Sequence, residues 1–256
     1  MRIISSIPVH ICQISSIASW DSVYQEELAN FEEIGDEGEI WYVIPNCPII
    51  PQPNPFLYRF GAETVEKMVE WSLENLPPSS NASVLEIGSG NGTLLFGLLD
   101  AGYDPAKLSG IDYSPGAVAL STKIAQTRGG SMINFSECDF LKDDPPTPEN
   151  LRLANRIDIW DLILDKGTYD AIALGQKDDQ GRSPSIHYPG RVARLLRPGG
   201  YCLITCKPTC KFDRIDNNVI FHIPSACNFT EDELKSNFAT AETKLTYQWV
   251  FYYDRS

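Results

Sequence analysis

The sequence predicts an α/β fold, a mostly parallel sheet with helices on both of its faces. Three observations carry that expectation. Short apolar runs alternate with helix-patterned segments from residue 84 to residue 205. The first run, Val84-Leu85-Glu86-Ile87, passes into Gly88-Ser89-Gly90-Asn91-Gly92 and then into an apolar, helix-like segment. Acids stand at or near the ends of four runs: Glu86, Asp112, Asp139 and Asp165. Strands joined by helices run parallel through right-handed crossovers, and ligands of such sheets sit beyond the carboxyl ends of the strands. The four acids therefore gather at one rim, the ligand rim.

Composition narrows the classes of function. The chain has 256 residues, enough for one large domain with a sizeable core. Its 21 basic and 34 acidic residues give a net charge of −13, a poor match to a phosphate backbone. Nucleic acid is not an expected partner; a small molecule or a basic protein suits this charge better. No apolar run reaches the roughly 18 residues of a bilayer span, so no membrane association is expected. The N-terminal stretch from Met1 to Val9 is broken by serines and Pro8, which argues against a signal peptide. Seven cysteines without scaffold spacing point to a reducing, intracellular setting.

In chain order, Trp20, Val23, Tyr24, Leu28 and Phe31 form a helical stripe, a helix laid on a core or a lid over the ligand. An acidic run from Glu32 to Glu39 follows and ends on Ile40-Trp41-Tyr42. Residues 43–60 hold five prolines and read as a loop or extended insertion. From Ala62 to Leu73 a second helix is expected, with Val65, Met68, Val69 and Leu73 inward beside Ser72. After the glycine turn a helix runs from Thr93 to Leu99. Leu108–Asp112 is a second strand; Ser114 then caps a helix that has Pro115 in its first turn. Met132–Asp139 is a third strand, Ile159–Asp165 a fourth, Tyr188–Leu196 a helix and Tyr201–Thr205 a fifth strand.

The glycine turn places the third glycine at Gly92, whereas the dinucleotide fingerprint requires it at the position of Thr93. Glu86 is also an unfavourable neighbour for a pyrophosphate on the helix N-terminus. A cationic sulfonium ligand with an amino group has the opposite preference, and S-adenosyl-L-methionine carries both. Asp112, 22 residues beyond Gly90, suits the two ribose hydroxyls. Tyr113 is placed against the adenine, with Asp139 accepting from the adenine amino group and Phe140 beside it. Gly88, Gly90, Asn91 and Gly92 form the backbone cradle. A nicotinamide dehydrogenase is weakened by Thr93 and Glu86. Cys202, Cys206 and Cys210 lack the spacing of a structural zinc site, so no metal is assigned.

The run from Val84 to Gly92 resembles the first motif of seven-strand, class I methyltransferases. Further segments are more specific: Trp20-Asp21-Ser22-Val23-Tyr24, Gly35-Asp36-Glu37-Gly38-Glu39-Ile40-Trp41, Asp165-Lys166-Gly167-Thr168-Tyr169-Asp170 and Cys227-Asn228-Phe229-Thr230-Glu231. Together they are similar to the elongation factor methyltransferase 4 family, the elongation factor 1-alpha lysine methyltransferases. The resemblance implies a Rossmann-like class I fold and a cytoplasmic, monomeric enzyme. It implies methyl transfer from S-adenosyl-L-methionine to a lysine of elongation factor 1-alpha. Against that pattern, residues 20–256 read as one methyltransferase domain after a poorly ordered stretch at 1–19. Loop insertions stand near 43–60 and 207–225. The altered ending at Trp249–Tyr253 predicts a sheet without its last, seventh strand.

For the chemistry, Asp165 has two readings: a carboxylate that orients the target amine and assists its loss of a proton, or a cap for the turn at Lys166-Gly167-Thr168. Tyr169 either contacts the substrate lysine or packs. Trp20 and Tyr24 either flank the methyl donor or belong to the core. A small-molecule methyltransferase and an inactive cofactor-binding module are the competing functions.

Overall fold

The computed structural model describes residues 17–38, 60–151, 159–173, 175–205 and 248–252. Most of both expected insertions, residues 1–16, Cys206, Cys210 and the segment from Cys227 lie outside the described residues.

Six strands form one sheet: β1 Val84–Ile87, β2 Leu108–Asp112, β3 Asn134–Glu137, β4 Trp160–Lys166, β5 Leu196–Thr205 and β6 Gln248–Tyr252. Their order is β3-β2-β1-β4-β5-β6, and every neighbouring pair is parallel. The order reverses between β1 and β4, which opens a crevice beyond their carboxyl ends. Ile87 of β1 lies level with Asp165 of β4, so the glycine turn and the end of β4 form the two lips of that crevice.

Helices cover both faces. On one side pack α1 Ile17–Ile34, α2 Phe60–Asn75, α3 Thr93–Asp100 and α4 Pro115–Thr127, meeting Val84, Leu108, Leu162, Leu164 and Leu203 of the sheet. On the other lie α5 Thr168–Ala173 and α6 Tyr188–Leu195, whose Tyr169, Tyr188 and Val192 meet Leu85, Ile87, Ile111, Ile163 and Ile204. Strands covered twice must be apolar on both faces, which is why β1 and β2 are buried throughout and read as near-continuous apolar runs.

The structure departs from the sequence reading in several places. In α2 the buried stripe is Val65, Met68 and Ser72, while Leu73 is exposed. The Ser72 hydroxyl donates to the Met68 carbonyl one turn back, so it enters the core satisfied and Leu73 turns outward. The third strand is shorter than expected, α5 follows β4 directly, and β5 begins at Leu196. The segment from Trp249 supplies β6, a parallel neighbour of β5, and among the described residues no seventh strand follows.

Candidate functional site

The glycine turn is pinned across the end of β2. The amides of Gly88 and Ser89 both donate to the Ile111 carbonyl, and the Gly90 amide donates to Asp112 Oδ2 at 3.0 Å. Gly88 and Gly90 have φ of +67° and +54°, a region that side chains disfavour. The surroundings forbid side chains as well: a Cβ on Gly88 would stand 1.9 Å from Thr168 Oγ1, and one on Gly90 2.4 Å from the Tyr24 hydroxyl. Gly92 ends the turn at the N-cap of α3. Asn91 does not face outward with a free amide. Its Oδ1 accepts from the Thr93 hydroxyl at 2.7 Å, and its Nδ2 donates to the Glu37 carbonyl at 3.1 Å.

Asp112 is buried and accepts from two backbone amides, those of Gly90 and Ser114. Burial raises its carboxyl above the ordinary carboxylate range against these two bonds. Ser114 stands at the N-cap of α4 as expected, but without a side-chain capping bond, and its buried hydroxyl has no partner. Asp112 Oδ1 accepts the Ser114 amide, so one carboxylate braces both the glycine turn and the entry to α4.

Helix α1 lies over this turn. Tyr24 is buried, stacks on Trp20 at 6.0 Å between ring centroids, and brings its hydroxyl against Gly90. Burial raises the Tyr24 hydroxyl well above its ordinary range, and the charges of Asp112 and Glu27 add to that. Gly116 of α4 lets the backbone of α1 approach, since a Cβ there would lie 3.3 Å from the Gln25 nitrogen. An ion pair of Glu32 with Lys123 and one of Glu37 with Arg128 at 3.1 Å tie α1 and the segment after it to α4 and its end. Tyr113 is half-buried, its hydroxyl held above its usual range by burial and then by Asp112 and Asp21.

Glu86 is the anomaly of the site. It is 1% exposed; the Leu95 amide at the start of α3 faces it and favours its charged form, but neither oxygen has a partner within hydrogen-bonding geometry. Burial pushes its carboxyl up to about 8, with Lys166 opposing and Asp165 and Asp112 adding to the rise. An unpartnered buried carboxylate is costly unless a cation meets it.

At the end of β4, Asp165 is fully buried. Its oxygens accept from the Thr168 amide at 2.7 Å, from the Tyr169 amide at 2.9 Å and from the Tyr188 hydroxyl. The carboxylate is thus the cap of α5. Tyr169 is 4% exposed and meets Tyr188 edge-on at 5.1 Å. Asp139 accepts from the Leu141 amide and pairs with Lys142 at 2.6 Å, a turn at the surface. The Phe140 ring points into the core against Tyr188. The structure therefore gathers Tyr24, Glu86, the glycine turn, Asp112 and Tyr113 around one crevice, and it gives Asn91, Asp165 and Phe140 internal partners. Sequence reasoning missed Tyr188 and Lys166. Tyr188 carried no signal beyond the start of a helix; Lys166 stood in the expected turn after Asp165 with nothing local to mark it.

The crevice fits S-adenosyl-L-methionine chemically. The buried carboxylate of Glu86 calls for a cation, and among the described residues no basic cluster stands at the glycine turn to receive phosphates. The profile of a family described as a methyltransferase domain matches residues 78–253. Protein-lysine N-methyltransferase efm4 of Schizosaccharomyces pombe is 34% identical over 231 residues, covering 86% of this chain and 77% of that protein. EEF1A lysine methyltransferase 2 of Mus musculus is 35% identical over 197 residues, covering 77% of this chain and 67% of that protein. Protein-lysine N-methyltransferase EFM4 of Saccharomyces cerevisiae is 30% identical, covering 88% of this chain and 80% of that protein.

Proposed function

The chain belongs to the methyltransferase-domain family, and within it to the group of protein-lysine N-methyltransferases that includes efm4 and EEF1A lysine methyltransferase 2; we propose that it methylates a lysine of translation elongation factor 1-alpha in the cytoplasm. The single observation that carries the cofactor reading is Glu86, a buried carboxylate without a hydrogen-bond partner beside the glycine turn.

S-adenosyl-L-methionine, when bound, supplies an electrophilic methyl group. The chain's own residues do the rest by positioning. Glu86 meets the ammonium of the donor and becomes ionised as it does so. Asp112, anchored to Gly90 and Ser114, offers remaining acceptor capacity to a ribose diol. Tyr24 and Trp20 cover the turn from α1 and keep water out. Asp165 is a positioning residue: it fixes the turn from β4 into α5 and, through Tyr188, the aromatic wall behind it. An acceptor lysine must lose its proton before it can attack; its burial favours the neutral form, against the pull of the neighbouring carboxylates.

The test is incubation of the full chain with S-adenosyl-L-methionine labelled in its methyl group and with elongation factor 1-alpha. Label on a lysine of the factor is the expected result. Cofactor binding with no transfer would make this an inactive binding module, and transfer only to a small amine would make it a small-molecule enzyme.

A further inference from the structure

We propose that Lys166 binds the α-carboxylate at the amino-acid end of the methyl donor, opposite Glu86, which takes the α-ammonium. The proposal rests on the cofactor reading above and assigns a residue to a part of the ligand that no other residue of the site accounts for.

Position comes first. β1 and β4 are neighbours at the point where the strand order reverses. Asp165 is level with Ile87, so Lys166 is level with Gly88, the first residue of the cradle. On β4, Leu162 and Leu164 face the layer of α2 and α3, and the two-residue period of a strand sends Lys166 to that face. Val84 faces the same layer, and the same period sends Glu86 there. The two charged groups thus end adjacent strands on one face, at the mouth of the crevice.

Charge comes second. Among the described residues Lys166 is the cation that acts on Glu86, and Glu86 and Asp165 act on Lys166. Yet Lys166 makes no hydrogen bond to Glu86, neither of whose oxygens has a partner within hydrogen-bonding geometry. Two opposite charges at the end of neighbouring strands, held apart while burial penalises both, make a site for a zwitterion. An α-amino acid end supplies the two missing partners at once: its ammonium for Glu86 and its carboxylate for Lys166. Burial lowers the Lys166 ammonium below its ordinary range, and a carboxylate laid against it would restore its charge, as the ligand's ammonium does for Glu86. Neither the ribose acid Asp112 nor the aromatic residues can perform this task, since none of them is cationic.

The test is calorimetric binding to the full chain and needs no turnover. The probes are S-adenosyl-L-methionine, S-adenosylhomocysteine and decarboxylated S-adenosylmethionine, which keeps the amine and the sulfonium and lacks the carboxylate. Wild-type protein is expected to bind the decarboxylated ligand about tenfold or more weakly than S-adenosyl-L-methionine. Lys166→Met should lose about tenfold or more for the two carboxylate-bearing ligands and much less for the decarboxylated one. Loss of the Lys166 charge alters Glu86 alike for all three ligands, so the difference between ligands isolates the carboxylate contact. Lys166→Arg should recover most of the affinity. Wild-type protein that does not discriminate against the decarboxylated ligand overturns the proposal without any variant, and so does an equal loss for all three ligands in Lys166→Met. Wild-type protein that binds none of the three removes the cofactor reading itself.

Discussion

The hydroxyl of Tyr24 occupies the place where a side chain on Gly90 would begin, 2.4 Å from the Cβ that position lacks. A residue of the first helix thereby closes the turn that the middle of the chain builds, and the two cannot change independently. Gly90→Ala should destabilise the protein by about 1–3 kcal/mol from the positive φ, and by more from the clash. Removing the hydroxyl as well, in Gly90→Ala with Tyr24→Phe, leaves the ring Cζ at 3.3 Å and should return part of the loss. Denaturant unfolding of the four proteins checks this; strictly additive losses would place Tyr24 away from Gly90 in solution.

Asp112→Ala removes a carboxylate that braces two backbone amides and, in the proposed cofactor reading, would take the ribose hydroxyls. S-adenosyl-L-methionine affinity should fall by about 1–3 kcal/mol, and thermal stability should fall with it because the Gly90 and Ser114 amides lose their acceptor. Calorimetry and thermal melting measure the two effects separately. Unchanged affinity would remove Asp112 from the site.

Glu86 gives the pH dependence. Its carboxyl is pushed up to about 8 in the fold, above the ordinary 4.5. The folded chain therefore keeps a proton that the unfolded chain has given up between those values. Stability falls as pH rises across that window, at most about 1.4 kcal/mol per pH unit, and levels off above it. Glu86→Gln should abolish this slope and make the ligand-free protein more stable at pH 8–9, while weakening cofactor binding. For wild-type protein the ligand's ammonium needs the ionised form, so S-adenosyl-L-methionine affinity should rise with pH up to about 8, with proton release on binding. Urea titrations and calorimetry in buffers of different ionisation enthalpy read these signs.

Tyr188→Phe deletes the hydroxyl that donates to buried Asp165 and leaves the ring stacking in place. The expected loss of stability is about 1–3 kcal/mol, since a buried carboxylate oxygen loses its donor. With Asp165→Asn already made, the further loss from Tyr188→Phe should be smaller, and a double-mutant cycle in urea measures that difference.

The sheet and cradle were legible because their signals are local. Val84–Ile87 and Leu108–Asp112 are short, buried runs that stand between turn signals, and the three glycines of the turn lie within five residues. Glu86 was legible for the same reason: an acid inside an apolar run is a conflict visible without a fold. What escaped were partnerships made at long range. Nothing in the sequence joins Tyr188 to Asp165, or tells whether Asn91 faces a ligand or the carbonyl of Glu37. Ser114 was legible as the N-cap of α4, but that its hydroxyl makes no capping bond and that Asp112 holds its amide were not. Leu73 was misplaced because periodicity ranks by hydrophobicity and cannot see that Ser72 satisfies its own hydroxyl. Lys166 stood in the expected turn after Asp165 without a local signal, and its place beside Glu86 emerged only from the register of β1 against β4.

The fastening of α1 onto α4 has a consequence for how the protein is made. Glu32 and Lys123, which form one of those fastenings, are 91 positions apart. A ribosome adding about 5–20 residues per second finishes α1 several seconds before α4 exists. Through that interval the stripe of Trp20, Tyr24, Leu28 and Phe31 has no seat, and nascent-chain chaperones have their opportunity there. The helix synthesised first is therefore among the last to settle.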